Sequence, residues 1–542
     1  MSRNACIAIA IVLLTSAPRA QRAVVPDHVR AAADRITADG LKRDLDYLSS
    51  DELLGRQSPS PGFDRAADYI AKRLATAGLK PLGDNGTFLQ HYTMRESRVD
   101  ADGAWLEIGG VRFAFGKDFV LRSFAQPVSG PRPVVYVGHG WTVADSGIDP
   151  FKGLDVKGKL VVAHAQRAMP KGVDVRQIGR ISVGATTVFA EAEKRGAAGV
   201  IFLSAGSGGP AWEQMASQNL VRRELDPNVP SAYASIPITS ALLSRTAVDA
   251  LFASERVSGG DLLAAGDARD YPAPFQLTKS ITLNVPLAEN TEHHPYNIVA
   301  MVEGTDPVLK NEYVAIASHL DGAVGTRTVD GDPIYNAADD NASGSAGNLA
   351  MAERMVTVRP RRSVVFIWDS GEERGLWGTR YFVGAPPVPL KNIVTLFNVD
   401  MIGASRVPGS ADETVATVAA PNEVFVVGPR VLSAKADALL EAVNAAYLQM
   451  TFNRDDDTSD KEFFYPRTDA SPFLERGILT IDFYTGIHPR YHLPSDEARF
   501  LDPKKMEAIT RTLFASIWAF ADAQERPGID KPIPVTVLPY YK

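Results

Sequence analysis

Residues with the chemistry of metal ligands recur in the C-terminal half of this chain. Five of them carry an imidazole or a carboxylate in short motifs: His319 in IASHLD, Asp340 in NAADDNASG, Glu373 in DSGEERG, Asp400 in NVDMIG and His492 in YHLPSDE. A sixth acid, Glu372, directly precedes Glu373. Zinc accepts imidazole nitrogen and carboxylate oxygen, and a catalytic zinc site keeps one position open for water. The set predicts a pair of zinc sites that hydrolyse a peptide-like bond with metal-activated water.

Predicted strands bring these residues to one place. Each candidate follows a strand: His319 follows YVAIAS, Glu372 and Glu373 follow SVVFIW, Asp400 follows NIVTLFNV, and His492 lies in the loop after LTIDFY. Asp340 opens the helix after the first of these strands. Ligands of open α/β sheets collect at the carboxyl ends of the strands. We therefore expect all these side chains to converge on one rim of a sheet.

Each motif has a plainer interpretation when it is taken alone. His319 and Asp321 could form a surface hydrogen bond, Glu372-Glu373 a solvated turn, and Asp400 a helix cap. YNAADDNASG has the Asp and Asn residues of a calcium loop, but it lacks that loop's glycine and final Glu. These interpretations leave the placement at strand ends unexplained. We therefore favour the metal centre, in which the Asp321 carboxylate would bond the second ring nitrogen of His319.

The segment that carries the motifs predicts an α/β fold. Between about residues 290 and 525, near-continuous apolar strands alternate with amphipathic helices, such as SGSAGNLAMAERMV and KKMEAITRTLFASIWAFADA. This alternation is typical of a mostly parallel sheet with helices on both faces. Residues 526–542 are rich in proline and are expected to form an extended C-terminal tail.

Two further regions precede this segment. Residues 27–125 are predicted to form a mostly helical N-terminal part of the same domain, in which Gly78 stops the second long helix. Residues 130–286 have a β-rich texture and resemble the protease-associated (PA) domain, a module inserted into several exported peptidases. GKLVV at 158–162 and KRGAAGVI at 194–201 carry that resemblance.

The N-terminus has the pattern of a secretory signal. Arg3 is followed by the short apolar run ACIAIAIVLL and by TSAPRA, so residues 1–20 are predicted to be removed on export to the periplasm or outside the cell. An uncleaved anchor is the alternative. The only cysteine, Cys6, lies in this segment, so zinc would be held by nitrogen and oxygen ligands. No other long apolar run predicts a membrane span in the mature chain.

Around the five ligand motifs, the chain resembles metallopeptidase family 28. This family of di-zinc exopeptidases includes bacterial leucyl aminopeptidases and glutamate carboxypeptidase II. The catalytic resemblance covers about residues 297–522, and LLGR and AGLKPLGDNGTFLQ extend it into the N-terminal part. It implies two Zn²⁺ ions, in sites that cobalt or manganese could also occupy.

The resemblance also implies the role of each residue. Asp340 is the bridging carboxylate, because Gly344 stands four residues after it in DNASG. The remaining ligands are His319 and Asp400 for one zinc, and Glu373 and His492 for the other.

Glu372 is implied as the general base, which takes a proton from water and passes it to the leaving amine. Tyr491 is implied as a stabiliser of the oxyanion, and the peptide bond between Asp340 and Asn341 is implied to be cis. Three residues depart from the family pattern without touching a ligand: Ala337 replaces Gly, Thr468 replaces Ser and Leu479 replaces Pro.

The leading hypothesis is an exported zinc aminopeptidase that acts on peptides. A carboxypeptidase like glutamate carboxypeptidase II is the nearer alternative, although the sequence shows no convincing arginine cluster beyond Arg467 and Arg490. A non-catalytic receptor-like homologue and a single-zinc glutaminyl cyclase are further alternatives. The net charge of −7 argues against a nucleic-acid partner. The oligomeric state and the preferred N-terminal residue stay open.

Overall fold

The N-terminal part begins with three helices, which precede the first strands in the sequence. The computed structural model describes residues 24–534 except 124–127, 165–168, 174–184, 205–209, 219, 226–237, 324, 326, 408, 410–414 and 459–466. The predicted signal at 1–20 therefore lies outside the described residues. The first elements are helices α1 (Asp27–Ala33), α2 (Ala38–Leu48) and α3 (Pro61–Ala77), and strands β1 (Lys80–Pro81) and β2 (Leu89–His91). Gly78 ends α3 at φ 82°, which confirms the predicted stop signal.

A second lobe follows, with strands as its main elements. Its strands are β3 (Met94–Val99), β4 (Trp105–Ile108), β5 (Val111–Ala114), β6 (Phe119–Ser123), β7 (Pro131–Tyr136), β8 (Thr142–Val143), β9 (Leu160–His164), β10 (Ala185–Thr186), β11 (Gly199–Leu203), β12 (Val221–Leu225), β13 (Ser240–Leu243), β14 (Phe275–Asn284) and β15 (Leu287–His293). Its helices are α4 (Val188–Lys194), α5 (Pro210–Gln218), α6 (Arg245–Phe252) and α7 (Gly259–Ala268). Eight strands form one sheet in the order β5-β4-β14-β7-β9-β11-β13-β6.

The lobe begins earlier than the sequence predicted. The sequence predicts this boundary between residues 125 and 130, with residues 27–125 in the catalytic part. The structure instead pairs β4 with β14 and β6 with β13, so the strands from Trp105 onward already belong to the eight-stranded sheet of the second lobe. The short alternating runs before residue 125 can pair with any exposed strand, and only the tertiary fold decides which one. The likeness of this lobe to a PA domain stays a prediction.

The remaining chain builds a nine-stranded sheet with β1 and β2. Its strands are β16 (Tyr296–Val302), β17 (Tyr313–His319), β18 (Ser363–Asp369), β19 (Ile393–Val399), β20 (Glu423–Val427), β21 (Thr451–Asn453) and β22 (Leu479–Tyr484). Its helices are α8 (Gly344–Met355), α9 (Trp377–Gly384), α10 (Pro429–Leu432), α11 (Ala434–Ala446), α12 (Ala470–Leu474) and α13 (Pro503–Asp522). The strand order is β1-β16-β18-β17-β19-β22-β20-β21, with β2 beside β16.

The α/β fold class is confirmed, with parallel strands at the centre. Strands β18, β17, β19 and β22 run parallel to one another. Strands β16 and β20 flank this group in antiparallel pairs with β18 and β22. One face packs Ile316 and Phe397 against α1–α3, α8 and α13, the last of which contributes Phe514. The opposite face packs Ile367 and Leu396 against Phe382 of α9 and Phe473 of α12. Helices therefore cover both faces, as burial of continuous apolar strands requires.

Two strands connect the lobes as a ribbon. The chain enters the second lobe through β3 and returns through β15, and these two strands pair antiparallel, with Met94 opposite His293. The pairing continues into the nine-stranded sheet, where His91 lies opposite Tyr296. Within the described residues, no helix is long and apolar enough to cross a membrane. In the tail, residues 526–534 form neither helix nor strand.

Arg56 ties the N-terminal part to the segments that carry candidate ligands. Its side chain is fully buried and donates to the carbonyl oxygens of Leu320, Asn336 and Ala337 at 2.9 Å each, and also to that of Leu48. Burial lowers the pKa of Arg56 to about 10, so the guanidinium keeps its charge at neutral pH. One side chain thus fixes the backbone beside His319 and ahead of Asp340.

Replacing Arg56 with methionine is expected to lower the free energy of unfolding by about 3 kcal/mol, because several buried carbonyl groups lose their donors. Chemical denaturation of the metal-free protein measures this loss. Lys42→Met is the control, since Lys42 is half-exposed and pairs with Asp46 on the surface of α2. Its effect should stay within about 0.5 kcal/mol. Equal stability of the two variants would show that Arg56 does not brace the core.

Candidate metal centre

Two groups of ligand atoms meet at the carboxyl ends of the central strands. His319, Asp340 and Asp400 form one group, and Asp340, Glu373 and His492 form the other. Within each group the ligand atoms lie within 4.8 Å of one another. The structure thus brings all five predicted ligands together, and Asp340 belongs to both groups.

The two carboxylate oxygens of Asp340 point in different directions. Oδ1 lies 3.1 Å from Nε2 of His319, and Oδ2 lies 3.0 Å from Nε2 of His492. The other ligands close each group: Asp400 Oδ1 is 3.4 Å from His319 Nε2, and Glu373 Oε1 is 3.1 Å from His492 Nε2. A carboxylate placed in this way can bridge two cations.

The buried polar atoms of the centre suit a metal. Nε2 of His319, Oε1 of Glu373 and Oδ1 of Asp400 are buried and have no partner in hydrogen-bond geometry among the described residues. Buried polar atoms of this kind are costly unless something binds them. Two imidazoles and three carboxylates without a thiolate form a donor set that zinc accepts. The residues present therefore fit zinc.

The His319 ring bonds a different oxygen of Asp321 from the one predicted. Its Nδ1 lies 3.0 Å from the backbone carbonyl oxygen of Asp321, not from the Asp321 carboxylate. That carboxylate instead accepts the backbone N–H groups of Glu372 at 3.1 Å and Glu373 at 3.4 Å. The spacing placed Asp321 beside the ring but could not show that the neighbouring turn offers two N–H donors. Either acceptor fixes the same tautomer and leaves Nε2 free for a metal.

Glu372 lies on a single helical turn, Glu372–Arg374, directly after β18. Gly371 precedes it at φ 73°, and a Cβ there would lie 2.6 Å from the ring of Trp377, so the turn requires glycine. Glu372 belongs to neither donor group but lines the cavity beside them. Burial and the adjacent Glu373 raise its pKa well above the usual range, against the opposing effect of His319. A cation in the centre would favour the ionised form of this acid.

The neighbouring acids Asp339 and Asp340 have different surroundings. The Asp339 carboxylate accepts the N–H of Gly403 at 2.7 Å and the hydroxyl of Ser343 at 3.0 Å, so it supports backbone. Asp340 faces the two histidines. The peptide bond between Asp340 and Asn341 is cis, which confirms that prediction.

Sequence reasoning did not find Asp496 and His488 as parts of this site. The Asp496 carboxylate accepts the backbone N–H of Asp339 at 3.0 Å and that of Asp340 at 3.1 Å. His488 Nε2 lies 3.4 Å from the Asp339 carboxylate. The signal for Asp496 was present in YHLPSDE, where a buried acid follows His492 in the same loop. Asp496 therefore supports the backbone that presents Asp340, and His488 lies beside the preceding side chain.

Tyr491 and the departures from the family pattern have clear places. The Tyr491 ring stacks on that of His492 at 3.7 Å, and burial raises the pKa of its phenol, which stays a hydrogen-bond donor. Thr468 donates its hydroxyl to Asp482 at 3.1 Å, so threonine keeps the hydroxyl that serine would offer. Ala337 adopts φ 51°, where glycine is unstrained, and Leu479 is buried in β22.

A covered α/β sheet thus presents at its carboxyl edge two groups of donors that could hold metal ions. Residues 297–517 match the sequence model of Peptidase family M28. Aminopeptidase YwaD of Bacillus subtilis is 24% identical over 216 residues, which are 39% of this chain and 43% of the relative. An aminopeptidase of Pseudomonas aeruginosa is 36% identical over 110 residues, 20% of this chain and 18% of the relative.

Similarity to a solved structure extends over most of the chain. The aminopeptidase from Aneurinibacillus sp. strain AM-1 shares 18% sequence identity at a TM-score of 0.55, covering 94% of this chain and 99% of the other. At that identity the likeness establishes the fold alone. The alignments with the two curated relatives span less than half the length of either one.

Zinc uptake by the metal-free protein is expected to release protons. Burial lowers the pKa of His492, but the Asp340 and Glu373 carboxylates within 3.1 Å of its Nε2 outweigh that effect and raise the pKa to about 10. Burial and the charge of Asp340 raise the pKa of Glu373 to about 7. Zinc needs both groups deprotonated, so its affinity should fall as the pH falls, by about tenfold per pH unit for each proton displaced.

Calorimetric titration with zinc in two buffers of different ionisation enthalpy, between about pH 6 and pH 8, counts these protons. A zinc affinity independent of pH would contradict the ligand role of both residues.

Proposed function

We propose that the chain is an exported zinc aminopeptidase that removes N-terminal residues from peptides. One observation carries the proposal: Asp340 is shared by two donor groups, and Glu372 lines the cavity that opens beside them. The two groups would hold two Zn²⁺ ions, or other divalent ions of similar size. The match of residues 297–517 to a peptidase family supports this assignment.

The residues of the chain divide the chemistry among them. When bound, zinc supplies Lewis acidity that activates water and polarises the scissile carbonyl group. Glu372 takes a proton from the attacking water and returns it to the nitrogen of the leaving amine. Tyr491, held protonated and stacked on His492, donates a hydrogen bond to the developing oxyanion.

The charge of the cavity favours an amine terminus over a carboxylate terminus. Among the described residues that line it away from the metal centre, four are acids and two are arginines, an excess of acidic side chains. Glutamate-carboxypeptidase-like activity needs a basic pocket for the terminal carboxylate. Arg490, which the sequence offered as a candidate, instead lies 3.7 Å over the ring of Phe500.

Blocked dipeptides separate the two activities. Hydrolysis of C-amidated peptides with a free amine, without hydrolysis of N-acetylated peptides, is the result we expect. The opposite preference would establish a carboxypeptidase. Absence of both activities in the zinc-loaded protein would favour a receptor-like homologue. Loss of activity on chelation and its recovery with zinc are expected alongside.

Export is part of this proposal and rests on residues 1–20. Charged, apolar and small-residue regions follow one another there as in a secretory signal. N-terminal sequencing of the protein recovered from the periplasm or the culture medium would test it. A mature chain that still begins at Met1 would contradict cleavage.

A further inference from the structure

A buried tyrosine lies where the chain leaves the nine-stranded sheet for the second lobe. Tyr92 stands between β2 and β3, and its backbone N–H donates to the carbonyl oxygen of Pro295 at 2.9 Å. The pairing of the outgoing and returning strands therefore continues through this residue. The phenol takes no part in the chemistry proposed above, yet the residue is only 3% exposed.

The Tyr92 hydroxyl meets Ser370, which lies two residues before Glu372. It is 2.8 Å from the Ser370 hydroxyl and 3.1 Å from the Ser370 carbonyl oxygen. Burial raises the pKa of Tyr92 well above its usual range, so the phenol keeps its proton. It can donate that proton to the carbonyl while its oxygen accepts the proton of the serine hydroxyl. Both bonds are buried, where a polar group that loses its partner is costly, so Tyr92 fixes Ser370.

A second buried side chain, Asn297 on β16, binds the same serine. Its Oδ1 accepts the backbone N–H of Ser370 at 3.2 Å. Its Nδ2 donates to the carbonyl oxygen of Gly378 at 2.9 Å and to Oε1 of Gln90 at 3.0 Å. The backbone N–H of Gly378 donates in turn to the Ser370 carbonyl at 2.8 Å. Side chains at the base of the second lobe thus bind both the backbone and the hydroxyl of Ser370.

Apolar packing adds to these hydrogen bonds. Tyr92, Met94 and Trp377 belong to one buried apolar cluster. The Trp377 ring also lies against Gly371, where a Cβ would be 2.6 Å from it. Gly371 directly precedes Glu372. The chain segment that enters the second lobe therefore reaches this turn through both polar and apolar contacts.

We propose that Tyr92 is a positioning residue for the general base Glu372. This role rests on the proposed aminopeptidase function, in which Glu372 moves a proton from water to the leaving amine. On one side of the turn, the Asp321 carboxylate accepts the backbone N–H of Glu372 at 3.1 Å. On the other side, Tyr92 holds Ser370. A base held from both sides keeps its distance to the reacting atoms, and proton transfer depends on that distance.

Tyr92→Phe tests this role, because it removes the hydroxyl and keeps the ring in the apolar cluster. We expect kcat for an N-terminally free peptide to fall about tenfold, since a small displacement of a reacting group lowers the rate. KM and zinc content should stay at the wild-type values, since Tyr92 neither lines the cavity nor belongs to a donor group. Tyr447→Phe is the matched control with an unchanged kcat, because the Tyr447 hydroxyl donates to the exposed Asp34.

A double variant separates positioning from a purely structural role. In the Glu372→Gln background the base is already absent, so Tyr92→Phe should lower the residual kcat by less than about twofold. A loss of folded protein or of zinc would instead lower kcat in both backgrounds alike. Equal losses in the two backgrounds, or no loss in the wild-type background, would overturn the positioning role.

Hydrogen exchange of the turn gives a readout that does not require turnover. Backbone amides of residues 370–376 should exchange faster in Tyr92→Phe than in Tyr447→Phe, because the turn opens more readily. Faster exchange in a zinc-loaded protein that cleaves no peptide would overturn the aminopeptidase function and leave Tyr92 as the residue that holds the turn. Peptide cleavage with unchanged kcat and unchanged exchange would overturn the positioning role and leave the function standing.

Discussion

Glutamine at position 372 is expected to lower kcat for peptide hydrolysis by about a thousandfold, within the range of general acid–base catalysis. The amide has nearly the shape of the carboxylate but cannot take a proton from water. Zinc content should stay at the wild-type level, because Glu372 belongs to neither donor group. Steady-state kinetics with an N-terminally free peptide, together with elemental analysis of the same sample, measures both quantities.

Glu525→Gln is the matched control for this variant. Glu525 is exposed and pairs with Lys435 at the surface, so the same chemical change there should leave kcat unaltered. Glu372→Asp keeps the acid one methylene further from the reacting atoms, so we expect partial activity. Equal kcat for wild type and Glu372→Gln would mean that another group moves the proton.

Alanine at position 340 is expected to remove zinc from both groups at once. Each carboxylate oxygen of Asp340 faces a different histidine, so no other single ligand is shared. Stabilisation by bound zinc, about 4 kcal/mol at a thousandfold excess over Kd, should disappear with it. Zinc content and the zinc-dependent rise in Tm are the measurements.

Single-group variants provide the comparison for Asp340→Ala. Asp400→Ala and Glu373→Ala each remove a ligand from one group only, so each should retain about one zinc per chain, against two for wild type. Two zinc ions retained by Asp340→Ala would show that each ion has enough ligands without a bridge.

The sequence could predict which residues meet, because strand ends limit where they lie. His319, Glu373 and Asp400 follow apolar strands of one sheet, and parallel neighbours bring those ends to one edge. Asp340 and His492 were harder to place, since they lie in longer connections. The resemblance to a family supplied their roles, and the structure supplied the distances.

Sequence patterns could not predict individual hydrogen-bond partners or which strands pair over long range. The carbonyl and the carboxylate of Asp321 lie close together in sequence, and only the fold shows which one His319 meets. Asp496 acts on the backbone of a segment more than 150 residues away, a contact that no local pattern encodes. The pairing of the strand Trp105–Ile108 with β14 is likewise a long-range contact that no local pattern encodes.

The paired strands β3 and β15 determine the orientation of the second lobe relative to the nine-stranded sheet. Residues 89–91 lie opposite residues 296–298, and residues 94–98 lie opposite residues 289–293, in the same register on both sides of residues 92–93. Side chains alternate between the two faces of such a ribbon, so a single inserted residue in either strand would turn the following side chains to the other face. The register of β3 and β15 therefore fixes the orientation of the second lobe relative to the metal centre. A different lobe grafted at this point would have to keep the number of residues in both strands.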